Sequence, residues 1–227
     1  MIDRAMVGCT RVVDGSCLPP LILLDSSRVG QAHLPSSFPR LSSLSSERSG
    51  VINYIRTHTP IFWCHPVEKS RLIFQLGSSN PVSAVEAALS VQDDVAGIDL
   101  NCGCPKPFST HSGMGAALLS TPDLLCDILR ALVDALYVPV SCKIRLMPTQ
   151  EETLELVEKV CQTGISCLTV HARTRDMRST EKALMHRLRE VVEVATKHGI
   201  PVIANGDVGG MWDFEKIKEM TGECLGC

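Results

Sequence analysis

From about residue 71 to residue 220, short β-branched and aliphatic runs alternate with longer stretches of helical spacing. Leu72-Ile73-Phe74-Gln75-Leu76 predicts a strand, closed by Gly77-Ser78-Ser79-Asn80. Pro81 then opens a helix in which Val82, Val85, Ala88 and Leu89 share one face. Residues 96–100 predict the next strand, residues 124–135 a helix, and residues 138–144 a further strand. Leu154, Leu156, Val157 and Val160 give the apolar face of the following helix. A strand over 166–170, a helix over 181–198, a strand over 200–204 and a helix near 214–220 complete the series.

Strands that alternate with helices imply parallel strands joined by right-handed crossovers. A doubly wound sheet and a (β/α)8 barrel both satisfy that pattern, and the strand ends discriminate between them. Five successive strands end in polar residues: Gln75, Asn101, Lys143, His171 and Asn205. In a barrel these would converge on one mouth, where catalytic residues collect. A doubly wound fold would instead carry a glycine-rich loop after its first strand, and none follows Leu76. The expected fold is therefore an α/β (β/α)8 TIM barrel.

Residues 15–49 break the alternation. They hold ten serines and four prolines without a helical or strand period, the composition of a disordered insertion. The expected organisation is a barrel fragment over 1–14, that insertion over 15–49, and the main barrel over 50–227. The net charge of −3 makes any nucleic-acid surface a local patch rather than a property of the whole body. The longest apolar run, residues 18–24, is far below the roughly 20 residues of a bilayer span, so no membrane association is expected. Eleven scattered cysteines without a secretory leader read as reduced thiols of an intracellular protein, with the cytoplasm as the expected compartment and the nucleus and mitochondrion as the alternatives.

The densest chemistry lies in Asp99-Leu100-Asn101-Cys102-Gly103-Cys104-Pro105-Lys106, followed by Gly113-Met114-Gly115-Ala116. A strand that ends in Asn and runs into a tight Gly-Cys-Pro turn puts a thiol just beyond a strand end. Cys102 and Cys104 have no further His or Cys at zinc spacing, so no metal is expected. Arg173, Arg175 and Arg178 form a small basic loop suited to phosphate contact.

These motifs, with Gln75-Leu76-Gly77, Cys142-Lys143-Ile144-Arg145, Val170-His171-Ala172-Arg173 and Ala204-Asn205-Gly206-Asp207, resemble the signature of tRNA-dihydrouridine synthases. The similarity is greatest to the eukaryotic branch acting at position 20 of the D-loop, and it spans residues 51–223 with a short piece at 6–14. It implies an FMN-linked barrel that uses NADPH to reduce the C5–C6 bond of a tRNA uridine. In that resemblance Cys104 is the proton donor, and thiols with an ordinary pKa of about 8.5 hold a proton at neutral pH. The cofactor residues it implies are Gln75 at the flavin ring edge, Lys143 near its N1/O2 side, His171, and Asn205 with Gly206 toward the phosphate. Asn101, Arg145 and Arg173 are implied on the substrate side, and the base must leave the tRNA stack to be reached.

The family's first-strand Pro-Met segment does not precede Met1-Ile2-Asp3-Arg4, and the sequence stops at Cys224-Leu225-Gly226-Cys227, where the resemblance would place the seventh-strand Gly-Arg segment and an eighth strand. The expectation is an incomplete or mis-spliced family member lacking its first and last strand regions. The alternatives are an FMN barrel dehydrogenase acting on a free pyrimidine and an inactive fragment of the synthase.

Overall fold

A computed structural model describes residues 31–33, 42–45, 50–56, 59–207 and 211–221. Residues 1–14, expected as a barrel fragment, lie outside the described residues. Within the expected insertion, two short strands are described, β1 (Gln31–His33) and β2 (Ser42–Ser45). The rest of 15–49 also lies outside them.

An antiparallel sheet precedes the alternating region, built from β2, β3 (Ile52–Arg56) and β4 (Thr59–Cys64) in that order. Sequence periodicity gave no sign of it. Its strands are short, and a register shift at Tyr54/Ile55 breaks the period-two pattern. Phe62 of β4 packs edge-on against Phe74, ring centroids 4.8 Å apart, which joins this sheet to the main body.

The main sheet contains β5 (Ile73–Gly77), β6 (Gly97–Asn101), β7 (Val140–Leu146), β8 (Cys167–Thr174) and β9 (Val202–Asn205). Its order is β1-β5-β6-β7-β8-β9, with every neighbouring pair parallel. From β5 onward, spatial order follows chain order without reversal, so right-handed crossovers put every helix on the same face. Those helices are α1 (Pro81–Val91), α2 (Pro107–Thr110), α3 (Pro122–Ala135), α4 (Gln150–Cys161), α5 (Leu188–Lys197) and α6 (Met211–Thr221). The longer ones pack in sequence, α1 on α3, α3 on α4, α4 on α5 and α5 on α6, as one continuous layer. A sheet layered by helices on one face, with its other face turned to a polar lumen, is the barrel arrangement expected from the strand ends.

Local chemistry explains the helix starts. Pro81 and Pro122 occupy first-turn positions, and Asn80 Oδ1 accepts from Ser83 N. Thr149 and Glu152 form a reciprocal capping box at the start of α4.

One expected boundary moves. The helix placed over 181–198 begins as α5 only at Leu188, after a 3-10 turn over Met185–Arg187. Residues 179–183 are held in an irregular loop instead: the Arg173 guanidinium donates to the carbonyls of Ser179 and Glu181, and Ala183 N donates to Asp207 Oδ2. Those tertiary bonds outweigh local helix propensity. Among the described residues no helix is long and apolar enough to cross a membrane.

Candidate active site at the carboxyl ends of the strands

Strand alternation gives the parallel sheet two faces. Toward the helices point Phe74, Leu76, Ile98, Leu100, Cys142, Ile144, Leu168, Val170, Val202 and Ala204, each at most 1% exposed. Toward the lumen stand Gln75, Asp99, Asn101, Ser141, Lys143, Arg145, Thr169 and His171. Register pairs Asn101 with Lys143, Arg145 with His171, and His171 with Asn205, so the expected polar strand ends are neighbours.

The thiol turn follows β6 and is held on several sides. Asn101 Oδ1 accepts from both Gly103 N and Cys104 N at 3.1 Å. Arg145 Nε donates to Gly103 O at 2.8 Å, and its Nη1 donates to Thr174 O at 3.0 Å, tying the turn to the end of β8. Cys104 O accepts from Ala116 N at 2.9 Å. Gly115, at φ +60°, lies where a Cβ would come within 2.6 Å of Cys104 O, which explains the glycine after Met114. Cys104 itself is half-buried, whereas Cys102, two residues earlier, is fully enclosed in the core. Burial pushes the Cys102 thiol well above the usual range, with the Asp99 charge adding to the effect. All seven described cysteines are free.

Below the turn, Asn101 Nδ2 donates to Gln75 Oε1, Gln75 Nε2 donates to Asp99 Oδ2 at 2.6 Å, and Ser141 Oγ donates to Asp99 Oδ1 at 2.7 Å. Burial raises the Asp99 pKa, opposed by the Gln75 and Ser141 hydrogen bonds and by the Lys143 charge. Burial lowers the pKa of Lys143, with Asp99 opposing the shift and Arg145 adding to it. Burial likewise takes His171 down to about 4, reinforced by Arg145, Lys143 and Arg173. The imidazole is therefore neutral near pH 7.

Three further observations bear on a bound anionic cofactor. His171 Nδ1 is buried without a hydrogen-bond partner among the described residues. Gly206 has φ +122°, and a Cβ there would crowd Ala183 Cβ at 3.1 Å and His171 Nε2 at 3.7 Å. Lys143 and Arg145 bring positive charge to the same mouth. An orphaned ring nitrogen and two cations at the strand mouth fit a group with a polar ring edge and a phosphate, as a flavin nucleotide has.

Arg173 stands apart from the other expected residues. It is 6% exposed, and its guanidinium is engaged with Asp207 and the carbonyls of Ser179 and Glu181. Asp207 has φ +48°, a left-handed conformation held by Ala183 N and Arg173. Sequence reasoning placed Asp99 in the thiol motif but gave neither it nor Ser141 a role. An acid in the middle of Gly97-Ile98-Asp99-Leu100, where apolar residues are the rule, is the signal that marks the first; Ser141 carries none.

A parallel sheet with a polar inner face, and a thiol turn and cations at its carboxyl end, defines a (β/α)-barrel protein with a candidate site at the strand mouth. The profile of the dihydrouridine synthase family matches residues 53–225. A tRNA-dihydrouridine(20) synthase (NAD(P)+) of Schizosaccharomyces pombe is 50% identical over 183 residues, covering 78% of this chain and 38% of that protein. The Saccharomyces cerevisiae protein of the same name is 44% identical over 184 residues, covering 74% and 48%. A probable tRNA-dihydrouridine synthase of Aquifex aeolicus is 32% identical over 187 residues, covering 80% and 58%. The chain belongs to the dihydrouridine synthase family, whose fold is the TIM barrel. It spans about half the length, or less, of the two yeast proteins.

Proposed function

We propose that this chain carries the catalytic face of a tRNA-dihydrouridine synthase, reducing the C5–C6 bond of a D-loop uridine. The supporting observation is the Cys104 turn, whose backbone is pinned by Asn101, Arg145 and Ala116 while the thiol stays half-buried at the barrel mouth. The names of the relatives add NAD(P)+ and tRNA. NADPH is the reductant in this reading, and FMN, when bound, supplies the hydride that reaches C6 of the uracil.

Gln75, Lys143, His171, Asn205 and Gly206 hold the cofactor. Lys143 would place a cation beside the bound flavin, where it would favour the anionic reduced ring, and Asp99 opposes the lowering of its pKa. Neutral His171 offers its ring nitrogen as a hydrogen-bond partner rather than as a charge. Asn101 and Arg145 fix the substrate side by holding the turn. Arg173 acts on the same side through the loop it organises over residues 179–183. Cys104 transfers its thiol proton to C5, leaving a thiolate that takes a proton back from water. Hydride and proton together saturate the double bond, so the product is 5,6-dihydrouridine. The flipped-out base enters from the mouth, the open end of the site.

The test is dihydrouridine in nucleosides from unmodified tRNA incubated with the protein, FMN and NADPH. Cys104→Ala lowers the yield rate by roughly 10² to 10⁴-fold, the usual cost of losing a positioned acid, and leaves oxidation of NADPH in place. Formation of dihydrouridine by the alanine variant at the unaltered rate overturns the assignment. Turnover of a free pyrimidine without any tRNA product would point instead to a barrel dehydrogenase.

A further inference from the structure

Asp99 is 7% exposed in the middle of a strand, a costly place for a carboxylate unless its position is used. It begins a hydrogen-bond chain that ends on the Cys104 turn. Ser141 Oγ and Gln75 Nε2 donate to its two oxygens. The other end of the Gln75 amide, Oε1, accepts from Asn101 Nδ2 at 3.1 Å. That leaves Asn101 Oδ1 for the N–H groups of Gly103 and Cys104. An amide has a donor end and an acceptor end, and both Asp99 oxygens act here as acceptors. Asp99 therefore obliges Gln75 to turn its NH2 group inward and its carbonyl toward Asn101. Asn101 must then direct its own carbonyl at the turn. With both amides reversed, an NH2 group would face two backbone N–H donors, and both would lose their acceptor.

We propose that Asp99 is a positioning residue for Cys104, acting through Gln75 and Asn101. It makes no hydrogen bond to the thiol or to its turn, and the two amides are the hydrogen-bonded link between them. The consequence for proton transfer rests on the dihydrouridine reading. The coupling itself does not, and backbone exchange reads it without turnover.

The experiment measures amide hydrogen exchange at Gly103 and Cys104 in the 227-residue chain. Glu152 N, which Thr149 Oγ1 holds in a remote capping box, serves as the internal reference. Asp99→Ala speeds exchange at Gly103 and Cys104 by roughly fivefold or more, the factor for losing about one net hydrogen bond, and leaves Glu152 unchanged. Asp99→Asn restores exchange to within about twofold, because an amide oxygen can still accept from Gln75 while its NH2 faces the Ser141 hydroxyl. Ser141→Ala also stays within about twofold, since it removes a bond to the same carboxylate without cutting the chain. Gln75→Met cuts the chain one link further on and reproduces the local loosening, even where Asp99→Ala does not fold. The proposal is overturned if Gly103 and Cys104 keep their exchange rates in both cutting variants. It is equally overturned if Glu152 loosens by the same factor, or if Asp99→Asn fails to restore the turn. Intact coupling without dihydrouridine formation would reject the function and leave this inference standing.

Discussion

Two faces of one sheet, separated by the thickness of a strand, follow different rules. On the helix side, Ile98, Leu100, Cys142, Ile144 and Leu168 are fully buried and make no demand beyond volume and shape. On the lumen side, Gln75, Asp99, Asn101, Ser141 and Arg145 each answer to a particular partner at hydrogen-bond distance. Enclosure lowers the pKa of both Lys143 and His171, and the Arg145 charge adds to each shift. Burial thus does opposite work on the two sides. It stabilises the fold on one, and on the other it sets the chemistry of ionisable groups at some expense to the fold. Cys102 and Cys104 show the same division within two residues: one thiol fills core volume and the other is presented at the mouth.

The strongest way to test this division is from the helix side. Leu100→Ala should lower unfolding stability by about 2 to 5 kcal/mol, the range for a buried leucine, measured by chemical denaturation. Flavin affinity of the molecules that remain folded should not change. A smaller loss is expected where the two faces meet. Gly115→Ala forces a left-handed backbone onto a side chain and pushes its Cβ against Cys104 O, at about 1 to 3 kcal/mol. Unlike Leu100→Ala, it should also alter the alkylation rate of Cys104.

From the lumen side, Lys143→Met should cost less stability than Leu100→Ala, because relief of a desolvated cation offsets part of the attraction that Asp99 loses. FMN affinity should fall by roughly tenfold, a loss of one charge-assisted contact, read by flavin fluorescence. A stability loss matching that of Leu100→Ala would erase the distinction between the faces. A separate effect concerns pH. The folded state holds His171 at about 4, against an ordinary value of 6.5. The unfolded chain therefore takes up this proton first as pH falls, and the stability present above 6.5 is lost progressively toward 4. His171→Asn should flatten the denaturation midpoint across that window and leave it unaltered at pH 8.

The helix face was largely legible in the sequence, because repeated aliphatic runs fix strand and helix periods together. The five strand-terminal polar residues were legible for the complementary reason: Gln75, Asn101, Lys143, His171 and Asn205 interrupt those runs at matching places. What stayed hidden depends on contacts between distant residues. Asp99 gains its meaning from Gln75 and Ser141 on neighbouring strands, 24 and 42 residues away. The start of α5 is set by Arg173 and Asp207, which no local propensity encodes. The sheet of β2, β3 and β4 escaped because its strands carry neither a sustained alternation nor a two-residue turn signal.

The uninterrupted order β5 through β9 has a consequence for how the molecule is made. Each of these strands docks beside the one synthesised just before it, so no long loop has to close between them. A chain emerging from the ribosome can add one strand at a time. The links from Ser141 through Asp99 and Gln75 to Asn101 are complete once β7 has docked. His171 and Asn205 arrive only with β8 and β9. The acid-bearing side of the mouth is therefore complete first, and the strands that carry His171 and Asn205 are laid down against it.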